Sequence, residues 1–164
     1  MDYTHSDGFS AKKNGYAIGP KGSEVEVISS TGLHRKVPWT VTVSVEDLNA
    51  GADIANRIIF QVPSYHRIVI NTIDVIALGA AEGVDADDTC VVTVDNGEDA
   101  VATRTYNAVV PFPEAATPGS LVVDSNHNTV GPGEKLRLQV TNGDTANPPA
   151  FLLQINGTIE ALKI

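Results

Sequence analysis

The residues able to do chemistry are few and scattered. The four histidines, His5, His34, His66 and His127, lie far apart, and none has a partner at a metal-ligand spacing such as His-x-x-x-His. The single cysteine, Cys90, sits between Thr89 and Val91 in a β-like run whose flanking charges are acidic. A thiol needs cationic neighbours to become a thiolate, so Cys90 reads as a small core residue. Asp124-Ser125-Asn126-His127 contains the residue types of a nucleophilic triad. Adjacency does not make a triad, and no Gly-x-Ser-x-Gly elbow accompanies it. Asp85, Asp87 and Asp88 form the densest group of carboxylates. They could offer oxygens to a hard cation such as calcium, but the glycine and distal glutamate of a calcium loop are missing. A solvated loop that keeps a sheet edge from pairing is the better reading. There is no phosphate-binding loop. Asn156-Gly157-Thr158 matches a glycosylation sequon, but the first residues lack the apolar core of a secretory signal, so it carries no weight. The expectation is no catalytic residue, no cofactor and no metal.

The elements that would have to position such residues are strands. The centre of the pattern is 57–79, with two apolar runs, 58–62 and 68–78, joined by Pro63-Ser64-Tyr65-His66. Ile58, Ile59, Val62, Ile68, Val69, Ile70, Ile73, Val75 and Ile76 are β-branched, stiff at χ1 and suited to a packed, pleated surface. Asn71 and Asp74 interrupt the second run, which is too short and polar to span a membrane. Around this pair, Val37, Trp39, Val41, Val43 and Val45 alternate with Lys36, Thr40, Thr42, Ser44 and Glu46, the pattern of a strand dry on one face and wet on the other. Residues 46–56 break the pattern as a loop or one helical turn. Residues 89–94 and 100–106 flank Asp95-Asn96-Gly97, a hairpin turn signal. Pro111, Pro113 and Pro118 make 107–120 a loop or edge segment. Residues 121–124, 135–141 and 150–162 read as further strands, the last tying the C-terminal stretch into a sheet.

Eight or nine strands with regular turns and no long helix give an all-β fold, a jelly-roll-like antiparallel β-sandwich. A strand from Ser23 opens the sandwich domain, taken as 22–164. Residues 1–21 are polar and glycine-rich, and read as an extended N-terminal arm. Its singly spaced apolar residues, Tyr3, Phe9, Tyr16 and Ile18, suit isolated anchors on a partner.

A chain of 164 residues is one domain's worth and can hold a core without disulfides, which one cysteine cannot form internally. The formal charge is −9, unevenly placed. Residues 1–40 carry Lys12, Lys13, Lys21, Arg35 and Lys36 against Asp2, Asp7, Glu24 and Glu26, a net +1 that leaves −10 for the rest. An acidic body argues against nucleic acid as a partner, because affinity there comes from neutralising phosphates. No window of about 18 apolar residues exists, so no membrane helix is expected.

The order of pieces resembles a family. Gly22–Ser30 with Thr31-Gly32, an alternating strand, Leu48-Asn49-Ala50-Gly51, Ile58-Ile59-Phe60 and 70–76 look like small virion proteins of tailed bacteriophages. So does Asp88-Thr89-Cys90-Val91-Val92-Thr93-Val94-Asp95-Asn96-Gly97, followed by Asn128-Thr129-Val130-Gly131-Pro132-Gly133-Glu134 and Leu136-Arg137-Leu138, where an N-x-V-x-x-G-[DE] turn introduces a late strand. The likeness is to capsid decoration (cement) proteins and head-fibre base domains. It implies a non-enzymatic protein made in the host cytoplasm and bound to the capsid surface of the virion. The implied partners are the major capsid protein and two further copies in a homotrimer, with no membrane. The arm would be the capsid clamp, anchored by Tyr3, Phe9 and Tyr16, with Lys12 and Lys13 for capsid carboxylates. The alternatives are a tail or fibre component and a carbohydrate-binding sandwich, the latter disfavoured by the scarcity of aromatic residues.

Overall fold

The structure is a computed structural model that describes residues 36–162 apart from Ala86 and Ala116, and, before them, the backbone of four short strands. Those are β1 (Tyr3–Thr4), β2 (Phe9–Lys12), β3 (Gly15–Ile18) and β4 (Val25–Ser29). They pair antiparallel in chain order as a meander. Three of these strands fall within 1–21, the stretch that the sequence suggests as an arm. The strand expected from Ser23 is described as Val25–Ser29 and pairs with Gly15–Ile18. Alternation along 24–29 shows a strand but does not say which neighbour it pairs with.

The sandwich is built from β5 (Lys36–Val45), β6 (Ile54–Gln61), β7 (His66–Ala77), β8 (Cys90–Asp95), β9 (Ala100–Tyr106), β10 (Pro118–Ser120), β11 (Val122–Val123), β12 (Thr129–Val130), β13 (Lys135–Asn142) and β14 (Phe151–Ala161). One sheet runs β10-β7-β14-β5, with β12 also on β7; the other runs β11-β9-β8-β13-β6. Chain neighbours β5, β6 and β7 alternate between the sheets, and β13 and β14 do the same. Among the long strands only β8 and β9 form a hairpin. With β10 to β12 counted as one interrupted strand, this is the eight-stranded jelly-roll order. The all-β, jelly-roll expectation is met.

The two apolar runs at 58–62 and 68–78 are not a strand pair. β6 lies at the edge of one sheet beside β13, and β7 lies inside the other, between β14 and the β10 and β12 segments. Residues 62–65 carry the chain across the sandwich. Buried Val62 plugs the corner, its N–H donating to Glu134 O and its carbonyl accepting from Gly133 N–H. Tyr65 turns the corner at φ 67° and stays 58% exposed.

The core follows the alternation. Val45, Ile68, Ile70, Ile73, Val75, Phe151, Leu153 and Ile155 face inward from one sheet. Cys90, Val92, Val94, Tyr106, Leu136, Leu138 and Val140 face them from the other. Tyr106, Phe112 and Phe151 form an aromatic chain through the interior, with centroids 4.8 and 5.8 Å apart. Trp39 of β5 and Phe60 of β6, at 4.7 Å, close the sandwich edge. Cys90 is fully buried, and burial pushes its thiol up to about 12. Cys90 is therefore expected to resist alkylation by iodoacetamide at pH 8 in the folded protein and to react stoichiometrically in denaturant, as mass spectrometry will read. Labelling of the native protein at the rate of a free thiol would contradict this placement.

Both outward faces carry polar cross-strand contacts, with the Arg67–Glu160 ion pair at 2.8 Å between β7 and β14 on the first sheet. On the first sheet Thr40 Oγ1 donates to Asn156 Oδ1 at 3.0 Å, and Asn156 Nδ2 to Thr72 Oγ1 at 3.2 Å. On the second, Thr93 and Thr103 hydroxyls meet at 3.0 Å, and Gln139 Nε2 reaches Asp95 Oδ2 at 2.8 Å and Asn56 Oδ1 at 3.1 Å. Such cross-strand pairs pin the register.

Candidate functional site

The jelly-roll order sends alternate loops to opposite ends. Loops 46–53, 78–89, 107–117 and 143–150 gather at one end; 62–65, 96–99 and 131–134 gather at the other, where β5 also begins. Three loops of the first end, 46–53, 78–89 and 143–150, are stitched together. Gly51 N–H donates to Ala146 O, Glu82 and Asn147 exchange backbone hydrogen bonds at 3.1 and 2.8 Å, and Gly143 N–H donates to Thr89 O at 2.8 Å. Asp53 Oδ1 accepts the Asn142 N–H at 2.8 Å. Asp88 accepts from both the N–H and the hydroxyl of Thr145.

This end carries the body's negative charge. Its loops hold Glu46, Asp47, Asp53, Glu82, Asp85, Asp87, Asp88, Glu114 and Asp144, and no lysine or arginine. All but Asp88 are exposed. Like charges gathered on one end without counter-charges sum to a field that attracts cations and repels phosphate. The carboxylates do not form a cage: among the described residues no three of His, Cys, Asp and Glu come together so as to hold a metal ion. Within the predicted Asp85, Asp87, Asp88 group the loop is a turn. Asp85 Oδ1 accepts the N–H groups of Asp87 at 2.9 Å and Asp88 at 3.1 Å. These bonds, that from Asp88 first, hold the Asp85 carboxyl below its ordinary value.

Among the carboxylates lies an apolar cleft of about 260 Å³, walled by Ala81 and Val84 on one side and by Pro111, Phe112 and Pro113 on the other, with Glu114 at its rim. Asn107 shapes the second wall, its Oδ1 accepting from Val109 and Val110 N–H at 2.8 Å each. The apolar surface extends beyond the cleft, with Val109 87% and Leu78 58% exposed at the same end.

At the opposite end His127 is held by two carboxylates, Nδ1 at 2.9 Å from Asp124 Oδ2 and Nε2 at 3.6 Å from Asp99 Oδ2. Asp124 Oδ1 also accepts the Asn126 N–H at 2.8 Å. That backbone bond first, and His127 second, hold the Asp124 carboxyl below its usual value. A depressed carboxyl contributes stability that is present above the unfolded-state value, near 3.8, and is lost as pH falls through the lower folded value. Asp124→Ala is therefore expected to lower the melting temperature at pH 6 and to lose that difference as the pH approaches 2. A melting series from pH 2 to 7 checks the sign; a deficit that grows on acidification would contradict it. Ser125 is exposed and makes the set a turn, not a triad.

The arm residues Tyr3, Phe9, Lys12 and Tyr16 fall on strand backbone, but their side chains, and Lys13 altogether, lie outside the described residues. Reading residue by residue found Asp85, Asp87 and Asp88 and missed that Glu46, Asp47, Asp53, Glu114 and Asp144 join them. Counting charges loop by loop against the jelly-roll order would have found it.

No protein-family model matches the chain, and no curated protein does. It is similar to a solved structure of infectious bursal disease virus, Gx strain, at 12% identity and TM-score 0.35, over 95% of this chain and 42% of that one. It is also similar to the VP2 subviral particle of infectious bursal disease virus, at 11% identity and TM-score 0.30, over 93% of this chain and 40% of that one. The chain thus spans about two-fifths of the length of those viral chains.

Proposed function

We propose that the protein is a non-enzymatic structural component of a virion, a decoration (cement) protein bound to the outer surface of a tailed-phage capsid as a trimer. The observation that carries this reading is the eight-stranded jelly roll with both outward faces crossed by polar side-chain contacts. Capsid and lectin domains use this architecture to present surface. The side chains with chemical potential are occupied in holding loops: Asp85, Asp88 and Asp124 accept loop N–H groups, and Asp95 accepts the Gly97 N–H at 2.7 Å. A sugar platform is less well supported, because Tyr106, Phe112 and Phe151 are buried and Trp39 packs on Phe60.

In this role, modest contacts per copy act together. Three linked copies on a symmetric shell bind with an avidity well above that of one, and each bridges neighbouring shell subunits. The test is light scattering followed by co-sedimentation with purified capsids, with and without residues 1–21. Capsid binding by a trimer, weakened by the deletion, is the expected result. A protein that ignores capsids, or a clear glycan-array hit, overturns it.

A further inference from the structure

We infer that the outer edge of β5 pairs antiparallel with the same edge of a second copy, so that one sheet of the sandwich runs through a twofold axis into the next molecule. The contact is between copies and makes no use of capsid binding.

The two long edge strands lie on one side of the sandwich, β6 in one sheet and β5 in the other, with Trp39 against Phe60 between them. They are finished differently. β6 shifts register twice against β13, holds Asn56 at a φ of 55° and carries Arg57. Bulges and charges of this kind keep an edge from pairing. β5 has neither. Its ten residues pair with β14 in unbroken register, and no charged residue lies between Lys36 and Glu46.

The sheet fixes which way its free backbone groups point. Leu121 N–H donates to Ile73 O at 2.8 Å, so Ile73 turns its polar backbone atoms away from β14, and Thr72 and Asp74 turn theirs toward it. Alternation along β14 then sends those of Leu153 and Ile155 to β5, where they meet Val43 and Val41. The N–H and C=O groups of Thr40, Thr42 and Ser44 therefore face outward. Pro38 shares their parity, so its missing N–H costs the β14 ladder nothing. Among the described residues no strand lies beside this edge, and no loop hydrogen bond reaches the backbone of Thr40, Thr42 or Ser44.

The sequence of β5 makes it its own complement. With Val41 opposite itself on the axis, Thr40 faces Thr42 of the second copy, Trp39 faces Val43, and Lys36 faces Glu46. Each residue meets one of the same parity, so the dry face continues as a dry face. Thr40 and Thr42 exchange both backbone hydrogen bonds on either side of the axis. Their side chains form the kind of cross-strand threonine pair that Thr93 and Thr103 already make within the molecule at 3.0 Å. Lys36 and Glu46 bring opposite charges together at both ends of the ladder. Antiparallel pairing also sets the two acidic loop ends at opposite ends of the joined pair, whereas parallel pairing would bring them side by side against their repulsion. A twofold, isologous contact needs this self-complementarity, and symmetry then supplies each match twice.

The experiment uses the full chain. Sedimentation and light scattering follow mass against concentration, and oxidative cross-linking with copper phenanthroline reads the register. The native Cys90 is fully buried and does not interfere. The expected result is a doubling of mass with concentration that persists at about 1 M salt, because backbone hydrogen bonds, and not exposed charges alone, carry the contact. Val41→Cys is expected to cross-link to itself, and Val43→Cys, which faces Trp39, is not. Thr42→Pro removes an outward N–H without touching the β14 ladder and is expected to weaken association about tenfold or more. Far-UV circular dichroism confirms that each variant is folded. Three results overturn the inference: a monomer at every concentration, as when another part of the same chain fills the edge; association untouched by Thr42→Pro; and equal cross-linking at positions 41 and 43. Capsid co-sedimentation separates the two readings. A trimer that binds capsids and never doubles overturns this contact and leaves the decoration role standing, whereas twofold association with no affinity for capsids does the reverse.

Discussion

Gly157→Val is expected to prevent stable folding. Gly157 lies in β14 between β5 and β7, paired with Trp39 and Ile70. The register slips beside it, between Asn156 and Gly157, and the bulge draws the neighbouring backbone close. A Cβ here would overlap the carbonyl oxygen of Val69 and lie 3.0 Å from its carbon and 3.1 Å from Ile70 Cα. These are backbone atoms in the centre of a sheet, so they cannot swing away as a side chain would. The change should cost about 3 kcal/mol or more, a large part of the stability of a domain this size. Urea denaturation and the soluble fraction on expression are the readouts. Gly133→Ala is the control. Its φ of 78° penalises a side chain, but nothing lies within 4 Å of the added Cβ, so the expected loss is about 1–2 kcal/mol. Equal effects at the two sites would show that the β14–β7 contact is looser than described.

The second large effect belongs to the aromatic chain. Phe151→Ala removes a fully buried ring from the first residue of β14, leaving Phe112 without its partner at 5.8 Å. The lost transfer energy and the cavity together should cost about 3–5 kcal/mol. The loss should also reach the surface, because Phe112 forms a wall of the apolar cleft. Tyr106→Phe, one link further along, tests the same chain with the opposite sign. Its hydroxyl is buried and has no partner among the described residues, and burial pushes its ionisation upward. Removing it should change stability by no more than about 1 kcal/mol, in the stabilising direction. If the Tyr106 change proved as costly as that at Phe151, the hydroxyl would have to be engaged.

Both sites show where sequence reading stops. The inward set of β14 is visible as Phe151, Leu153 and Ile155, and burial agrees. The need for glycine at 157 is not visible, since it comes from Val69, which is 88 residues away in the chain but adjacent in space. The acidic end divides the same way. Asp85, Asp87 and Asp88 stand out because they are neighbours in sequence. Glu114 and Asp144 become part of the same surface only when loops 78–89, 107–117 and 143–150 are brought to one end.

The sequence by itself determined the strands, their faces and most of their turns. Alternation of Val41, Val43 and Val45 with Thr40, Thr42 and Ser44 is a local pattern, and burial preserves it in β5. Asp95-Asn96-Gly97 likewise marked the hairpin, with Gly97 at φ 101°. Only the tertiary structure decided which strands are neighbours. It split the runs at 58–62 and 68–78 between two sheets and placed β14 beside β7 and β5. It also took Val25–Ser29 into a ribbon with Gly15–Ile18. The physical reason is that a side chain's facing depends on the two-residue repeat of its own strand, whereas a strand's partner depends on which distant segment completes its hydrogen bonds and covers its apolar face.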